Sequence, residues 1–581
     1  MSKPVPTVSH LIEQWSRDRG ESIAFRFLSD GEITEQTLSF SELFTRSRAL
    51  AARMLRTARR GDRVALILPA SLEFVIGFFA ALQAGLIAVP LHAPHPKRIE
   101  TEGAKLGGVF ENCEPALVIT TADLMRCRDD LAKFSWTLAA AQWLVCEVDA
   151  VAEPLPGDLV LPDLADSDVA LLQYTSGSSA QPKGVVLTHG NLAANQGMLS
   201  ELENLHTGQT GLCSWLPHYH DMGLAILLFA VFNGIPATFM SPAHFVQRPV
   251  RWLQMLSRYG GTVTCAPNFA LDLTVARSSD QEIAALDLSR LRSLILGAEP
   301  LAAESIRRFV EKLRPAGFQG ESITPCYGLA EVTVLASGPP RRPVKTLKIA
   351  TASYRMSHVV AASNGVDLVE LVGCGFPGSG HEARICGPET RAVKADGEIG
   401  EIWLRGGSIG RGYWGLADAS AETFNATTLD GEGGFLRTGD LGFLYEGDLY
   451  VSGRIKDLII IRGRNIYPQD IERLVEDRVP EVISGGVAAF AFGSEGREAI
   501  AIVAEIDRHA KSPPDRLVND IRSVVQVALE VEVARVVAVA ERSIPKTSSG
   551  KLRRQHCKFL LEDARLPVRA DTSGCRQTEL A

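Results

Sequence analysis

The chain holds no C-x-x-C pair, no spaced cysteine–histidine set and no uninterrupted apolar run long enough to cross a bilayer. Its ten cysteines are scattered from Cys113 to Cys575. That pattern excludes the usual zinc modules and points to a reduced, cytoplasmic protein. The apolar stretch 66–91 is broken by Pro69 and Glu73, and the run 223–232 is too short, so no transmembrane segment is expected. The opening Met1-Ser2-Lys3-Pro4-Val5-Pro6 lacks the apolar core of a signal peptide. Positive charge is scarce as well. A net charge of −8 and a pI near 5.9 give no support for nucleic acid as the main partner. Prolines and glycines are plentiful but form no low-complexity tract, and no internal repeat is visible.

What remains is an ordinary globular composition over 581 residues, too long for one core and suited to about four domain-sized units. Strand-like and helix-like patterns alternate. A short apolar run at 64–68 follows Gly61-Asp62, and Ser71 can cap a helix over 72–84 that carries Phe74, Phe78 and Leu82 on one face. Gly85 ends that helix and 86–91 reads as the next strand, a β-α-β unit that predicts a largely parallel sheet. Further buried strands are expected at 117–120, 170–173, 262–266 and 294–296, with helices at 247–258 and 303–314. From about Gly373 the texture changes to short strands with Gly-rich turns, at 383–385, 401–404, 443–445 and 449–452. A compact α+β unit follows to about Leu560, with a strand at 458–461, a helix from about Gln469, and strands near 486–492 and 499–505. The polar end, 566–581, is expected to fray.

The most informative segment is Tyr174-Thr175-Ser176-Gly177-Ser178-Ser179-Ala180-Gln181-Pro182-Lys183-Gly184. Small and hydroxylated residues let backbone N–H groups approach an anion, and Lys183 adds a point charge, so the loop suits a polyphosphate. It is not a Walker loop, because Lys183 is followed by Gly184 and Val185. A flexible surface turn is the bland alternative, disfavoured by the ordered Thr-Ser-Gly-Ser-Ser followed by Pro-Lys-Gly.

Five clusters come after it. Trp215-Leu216-Pro217-His218-Tyr219-His220-Asp221-Met222-Gly223 offers two histidines and a carboxylate, which read as a polar turn at a helix start or a pocket wall rather than a metal set. Leu296-Gly297-Ala298-Glu299-Pro300 follows a strand and lets a flat ring lie on the backbone, though a plain β-α turn fits equally. Tyr327-Gly328-Leu329-Ala330-Glu331 pairs an aromatic ring with a carboxylate able to hold Mg²⁺ beside phosphates. Thr438-Gly439-Asp440 can accept from the hydroxyls of a ribose. Gly453-Arg454-Ile455-Lys456-Asp457 lies at a change of texture, and Pro545-Lys546-Thr547-Ser548-Ser549-Gly550-Lys551 puts a lysine on a mobile Gly/Ser loop. One decoy, Gly406-Gly407-Ser408-Ile409-Gly410, matches a nucleophile elbow. The following Arg411-Gly412-Tyr413-Trp414-Gly415 is a poor helix, so a serine hydrolase is rejected.

In this order the clusters resemble the adenylate-forming superfamily over roughly residues 10–560. The resemblance implies an α/β fold: a large N-terminal portion, 1–455, with two sheet-containing subdomains and a small β-barrel at about 373–455, plus a mobile α+β lid at 456–581. It implies ATP and Mg²⁺ as cofactors. Thr175, Ser176, Gly177, Ser178, Ser179 and Lys183 would hold the phosphates. Gly297, Ala298, Glu299, Tyr327 and Gly328 would surround adenine, and Asp440 and Arg454 the ribose. Glu331 and Thr175 would face the metal, Lys456 would be the hinge, and Lys551, Glu331 and His220 would act in catalysis. Ala180 and Ala330 depart from the common pattern, which has Gly and Thr there.

Two local features resemble the fatty acyl-AMP ligase branch: the segment Trp215 to Leu224, and Gly463-Arg464-Asn465-Ile466-Tyr467-Pro468-Gln469-Asp470-Ile471-Glu472. In addition, 41 residues separate Glu331 from Gly373, and the extra length near 351–371 resembles the insertion thought to restrict lid movement and disfavour coenzyme A. Apolar Val359-Val360 and 366–372 favour docking on the body over free solvation; a tolerated surface loop is the alternative. The implied reaction is activation of a medium- or long-chain fatty acid to acyl-AMP. The implied acceptor is the phosphopantetheine thiol of an acyl carrier protein or of a carrier domain of a polyketide or nonribosomal peptide synthase. A fatty acyl-CoA synthetase is the alternative within this class. A catalytically silent nucleotide-binding protein is the alternative outside it, disfavoured by the joint presence of Lys551, Glu331 and Asp440.

Overall fold

The computed structural model describes residues 7–148, 161–175, 182–203, 210–362, 367–461, 464–493, 499–547 and 551–572. The chain divides into two compact units. One comprises Met1–Lys345, Gly373–Arg384 and Trp403–Thr438; the other comprises Thr346–Val372, Ile385–Ile402 and Gly439–Ala581.

The first unit contains two sheets. In the six-stranded one, Gln142–Val145, Leu117–Thr120, Arg63–Ile67, Ile87–Leu91 and Val169–Tyr174 run parallel, and Gly184–Thr188 closes the edge as an antiparallel hairpin partner. The β-α-β expectation holds. Ser71 Oγ accepts from Phe74 N–H at 3.4 Å, the helix spans Leu72–Gln83, and Gly85 takes φ +65°, a turn open to glycine at little cost. This helix is buried all round, not on one face. Its Gly77 lies beneath Leu68 and Ile119, whereas Phe79 packs 6.0 Å from Phe25 of the other sheet. An element covered from both sides needs no polar face.

The seven-stranded sheet runs in the order Ile323–Pro325, Ser293–Leu296, Val263–Ala266, Leu212–Ser214, Ala237–Met240, Ile23–Leu28, Glu35–Ser39, all parallel except the last pair. Leu296 is registered against Pro325, so the residues that follow these two strands emerge side by side. That carboxyl edge is where open α/β sheets bind ligands.

Beyond residue 375 the strands are Phe376–Pro377, His381–Cys386, Gly400–Gly406, Leu436–Tyr445 and Asp448–Arg454, and the last three, at seven to ten residues, are longer than the Gly-rich texture implied. In the second unit a four-stranded sheet runs in the order Val482–Phe492, Ala499–Ile506, Val533–Val539, Val568–Asp571. Strand Ala499–Ile506 is apolar nearly throughout because both its faces are covered. Ile500, Ile502 and Ala504 join helices Pro468–Arg478 and Pro514–Leu529 in one core, and Ala501 and Val503 join helix Arg554–Glu562 in another.

The frayed end expected at 566–581 is corrected in part. Val568–Asp571 is an edge strand, Asp571 binds Arg535 at 2.7 Å, and Thr572 Oγ1 accepts from Val536 N–H at 2.9 Å. Alternation hides this strand among polar residues: Ala570 points into the core while its neighbours Arg569 and Asp571 do not. Residues 573–581 lie outside those described. No helix among the described residues is long and apolar enough to cross a membrane.

Candidate active site

The phosphate-loop candidate joins Val169–Tyr174 to Gly184–Thr188. Thr175 N–H donates to the Lys183 carbonyl at 3.3 Å, which closes the neck of the loop. Ser176, Gly177, Ser178, Ser179 and Ala180 lie outside the described residues. Lys183 Nζ sits 4.6 Å from the centre of the Tyr413 ring. The backbone of 411–414 runs along the hairpin edge: Arg411 N–H donates to Val186 O at 2.9 Å, Val186 N–H to Gly412 O at 2.9 Å, and Trp414 N–H to Gly184 O at 2.8 Å. The segment after the elbow-like glycines is therefore extended and cannot serve as a nucleophile helix. Ser408 does lie 2.7 Å from His381 Nε2, but its side chain has no exposure, so the pair fastens a turn and presents no nucleophile.

Glu331 meets the same segment. Tyr413 OH donates to Glu331 Oε1 at 2.8 Å, and Gly410 N–H donates to Glu331 O at 2.9 Å. Two residues on, Thr333 takes φ +72° and ψ −65°, a costly backbone for a β-branched residue, and its hydroxyl donates to Ser408 O at 2.8 Å. Lys183, Glu331 and Tyr413 thus form one cluster, and a single carboxylate beside a polyphosphate loop is a donor set that suits Mg²⁺.

The expected adenine shelf is built from backbone. Ala298 has φ +70°, and Glu299 Oε1 accepts from Phe269 N–H at 2.5 Å, tying the shelf to the first turn of helix Asn268–Arg277, which follows the adjacent strand. A side chain at Gly297 would come within 3.0 Å of Cys326 O. Tyr327 exchanges backbone hydrogen bonds with Ser337 at 3.0 and 3.1 Å and is largely buried. At Gly328 the approach is closer still: a Cβ would stand 1.7 Å from Val334 O. Gly328→Ala should therefore displace the Tyr327–Glu331 turn, costing about 1–3 kcal/mol or more as overpacking does. Thermal unfolding and ATP titration check this; wild-type values in both would contradict it.

The two histidines part company. His220 precedes helix Asp221–Asn233, with Nδ1 2.5 Å from Asp221 Oδ1. His218 is in the core, its ring 5.2 Å from Phe74 and 4.6 Å from Phe239, and burial pushes its pKa down to about 3. The apolar segment 224–231 is buried throughout.

In the second unit, Asp440 is paired in register with Arg454 across the hairpin, and Arg454 Nε lies 3.2 Å from Asp440 Oδ1. Gly439 takes φ +71° and donates its N–H to Glu401 Oε1 at 3.1 Å. Lys456 occupies the turn Ile455–Asp457, and its carbonyl accepts from Gln555 Nε2 at 3.1 Å. Lys551 departs from the expected loose loop. Its N–H donates to Thr547 Oγ1 at 3.0 Å and its carbonyl accepts from Thr547 N–H at 2.8 Å, so the backbone is pinned at the foot of the Gly/Ser turn. Residues 548–550 lie outside those described. The sequence-derived residues thus fall into two sets: Thr175, Lys183, His220, Gly297, Ala298, Glu299, Tyr327, Gly328 and Glu331 in the first unit, and Asp440, Arg454, Lys456 and Lys551 in the second.

Residues 12–414 match the family model described as AMP-binding enzyme. The chain belongs to this family of AMP-binding enzymes. Within it the chain is 36% identical to the medium-chain-fatty-acid–[acyl-carrier-protein] ligase JamA of Moorena producens, over 96% of each protein. It is 37% identical to the long-chain-fatty-acid–AMP ligase FadD32 of Mycolicibacterium smegmatis, over 96% of this chain and 94% of that one. A solved structure from work on the fatty acyl-adenylate ligases of E. coli and L. pneumophila superposes with a TM-score of 0.87 at 33% identity, covering 96% of this chain and 98% of the other. These likenesses set the AMP-binding enzyme in the fatty acyl-AMP ligase branch and bear out the α/β fold read from the sequence.

In this ligase the stretch 346–372, which contains the extra length near 351–371, forms a hairpin, Thr346–Ala350 with Leu368–Val372, and a short helix, Thr351–Arg355. Tyr354 is buried, its ring 4.7 Å from that of Tyr467, and Asn465 Nδ2 donates to Ser357 Oγ at 2.7 Å. Both partners belong to the sequence motif 463–472. Ile349 and Tyr354 share one core with Leu441, Phe443, Tyr450 and Tyr467. The segment packs within this unit, where Val360 is exposed, and Val366 lies outside the described residues. Sequence reading missed Tyr413 and Tyr354. Tyr413 follows the elbow-like glycines in a segment whose sequence marks it only as a poor helix, and Tyr354 is a lone aromatic in a stretch whose apolar signal comes from its valines.

Proposed function

We propose that the protein activates a medium- or long-chain fatty acid with ATP and then passes the acyl group to the phosphopantetheine thiol of an acyl carrier protein or synthase carrier domain. The carrying observation is the cluster of Lys183, Tyr413 and Glu331 at the neck of the Gly/Ser loop, in a chain similar over its whole length to a ligase named for its carrier-protein acceptor.

In the first step a carboxylate oxygen attacks the α-phosphorus of ATP, the bond to the β-phosphate bridge breaks, and pyrophosphate leaves. Two anions must meet, so the loop amides, Lys183 and Lys551 offset their repulsion. Glu331 and Thr175 would hold Mg²⁺, which would supply charge neutralisation for the phosphates. Gly297 to Glu299 with Tyr327 and Gly328 take the adenine, Asp440 and Arg454 the ribose, and His220 stands at the acid. Residues 1–455 act as the adenylation portion and 456–581 as a lid hinged at Lys456. In the second step the thiol sulfur attacks the acyl carbonyl, its proton is lost, and AMP leaves.

A coenzyme A acceptor is the second reading. The Tyr354–Tyr467 and Ser357–Asn465 contacts favour the carrier, because they tether the inserted segment to the start of the lid. Incubation of the enzyme with ATP and laurate should yield thioester on a phosphopantetheinylated carrier protein and little or none on coenzyme A. Thioester with coenzyme A alone would overturn the carrier assignment, and an absence of acyl-AMP with every acid tried would overturn the enzyme assignment.

A further inference from the structure

We propose that Tyr413 is a positioning residue that sets two opposite charges for the metal–nucleotide: its hydroxyl aims the Glu331 carboxylate, and its ring face seats the Lys183 ammonium. This rests on the reading of Glu331 and Lys183 given above.

The tyrosine is held independently of both charges. Its backbone is clamped to the hairpin through the Val185–Tyr413 bridge and the flanking Gly412 and Trp414 bonds, and its N–H donates to Ser420 Oγ at 2.8 Å. Its ring meets Phe424 edge-on, with centroids 5.0 Å apart at 80°. The ring is therefore a fixed reference on which mobile side chains can be registered. At one end the hydroxyl donates to Glu331 Oε1 at 2.8 Å. An ionised carboxylate has no proton to give, so the phenol is the donor of this bond. A carboxylate that accepts such a bond keeps its negative charge. At the face, Lys183 Nζ lies 4.6 Å from the ring centre, where the ring quadrupole attracts an ammonium. The acid and the base of the site thus occupy different parts of one rigid side chain. Each keeps its charge available to a ligand instead of spending it on the other.

Two substitutions separate these duties. Tyr413→Phe removes the hydroxyl and keeps the ring; Tyr413→Leu removes both. For Tyr413→Phe the Mg²⁺ concentration giving half-maximal pyrophosphate release should rise about tenfold, the effect of losing one hydrogen bond to a charged group. The KM for laurate and the binding of a fluorescent ATP analogue without Mg²⁺ should stay as in the wild type. Tyr413→Leu should also weaken the Mg²⁺-free binding of that analogue, as Lys183→Gln should without altering the Mg²⁺ requirement. A thermal midpoint for Tyr413→Phe near the wild type separates positioning from collapse. If that midpoint falls, the Lys183→Gln result and the difference in analogue binding between Tyr413→Phe and Tyr413→Leu carry the test. A wild-type Mg²⁺ requirement in folded Tyr413→Phe, with a raised requirement in Glu331→Gln, would overturn the role of Tyr413 alone. An unchanged requirement in Glu331→Gln would overturn the reading of Glu331 beneath it.

Discussion

Lys551→Ala should lower pyrophosphate release by about 10²–10³-fold while leaving ATP affinity within about twofold, the pattern of a group that acts mainly in the transition state. Charge builds at the α-phosphate oxygens as the acid's oxygen arrives, and a lysine that meets that charge contributes little before it forms. The backbone of Lys551 is fixed by both groups of Thr547, so alanine removes an ammonium and leaves the turn standing. Radiolabelled pyrophosphate exchange measures the step, and calorimetric titration measures the binding. Exchange at the wild-type rate would end the assignment of this lysine to adenylation. Lys551→Arg should recover little, because a planar fork does not present charge where a compact ammonium does.

Arg554→Ala should cost the second unit about 3–5 kcal/mol, the penalty of removing one partner of a buried ion pair. Arg554 Nε and Nη2 each lie 2.7 Å from an oxygen of Glu472, and Nη1 lies 3.1 Å from Asp457 Oδ2. Both carboxylates are mostly hidden from water, so alanine leaves two anions facing each other with no counter-charge. Asp457 belongs to the turn that contains Lys456, and Glu472 to the helix Pro468–Arg478, which makes Arg554 a fastening between that turn, that helix and its own helix Arg554–Glu562. The thermal midpoint should fall by about 10 °C, taking roughly 2–4 °C per kcal/mol for a unit of this size. Arg554→Lys should recover only part of the loss, since it cannot bind Glu472 through two parallel bonds. A midpoint unchanged in Arg554→Ala would show that the pair contributes nothing net.

Much of this was legible in the residues. Ser71, Gly85 and the apolar runs on either side define the first β-α-β unit because capping, turn and burial act over a few positions. Gly328 and Gly439 sit where a glycine is needed, one for a carbonyl that passes too close and one for a left-handed turn. What escaped notice depended on long-range pairing. Tyr413 and Glu331 are 82 positions apart and meet only because an extended segment returns to the hairpin edge. The strand at 568–571 has four residues, too few for its alternation to outweigh polar neighbours. His218 and His220 read as neighbours in a motif, yet the turn between them sends one into the aromatic core and the other to a helix start.

The stacked pair Tyr354–Tyr467 has a consequence for how the protein could be altered. A segment whose apolar side chains finish a core begun elsewhere is not a cassette. Moved alone into a coenzyme A ligase, 346–372 would arrive with Ile349 and Tyr354 uncovered, and cut out of this chain it would strip Tyr467 of its lid. Such a shared core can be exchanged only by transplanting both halves together.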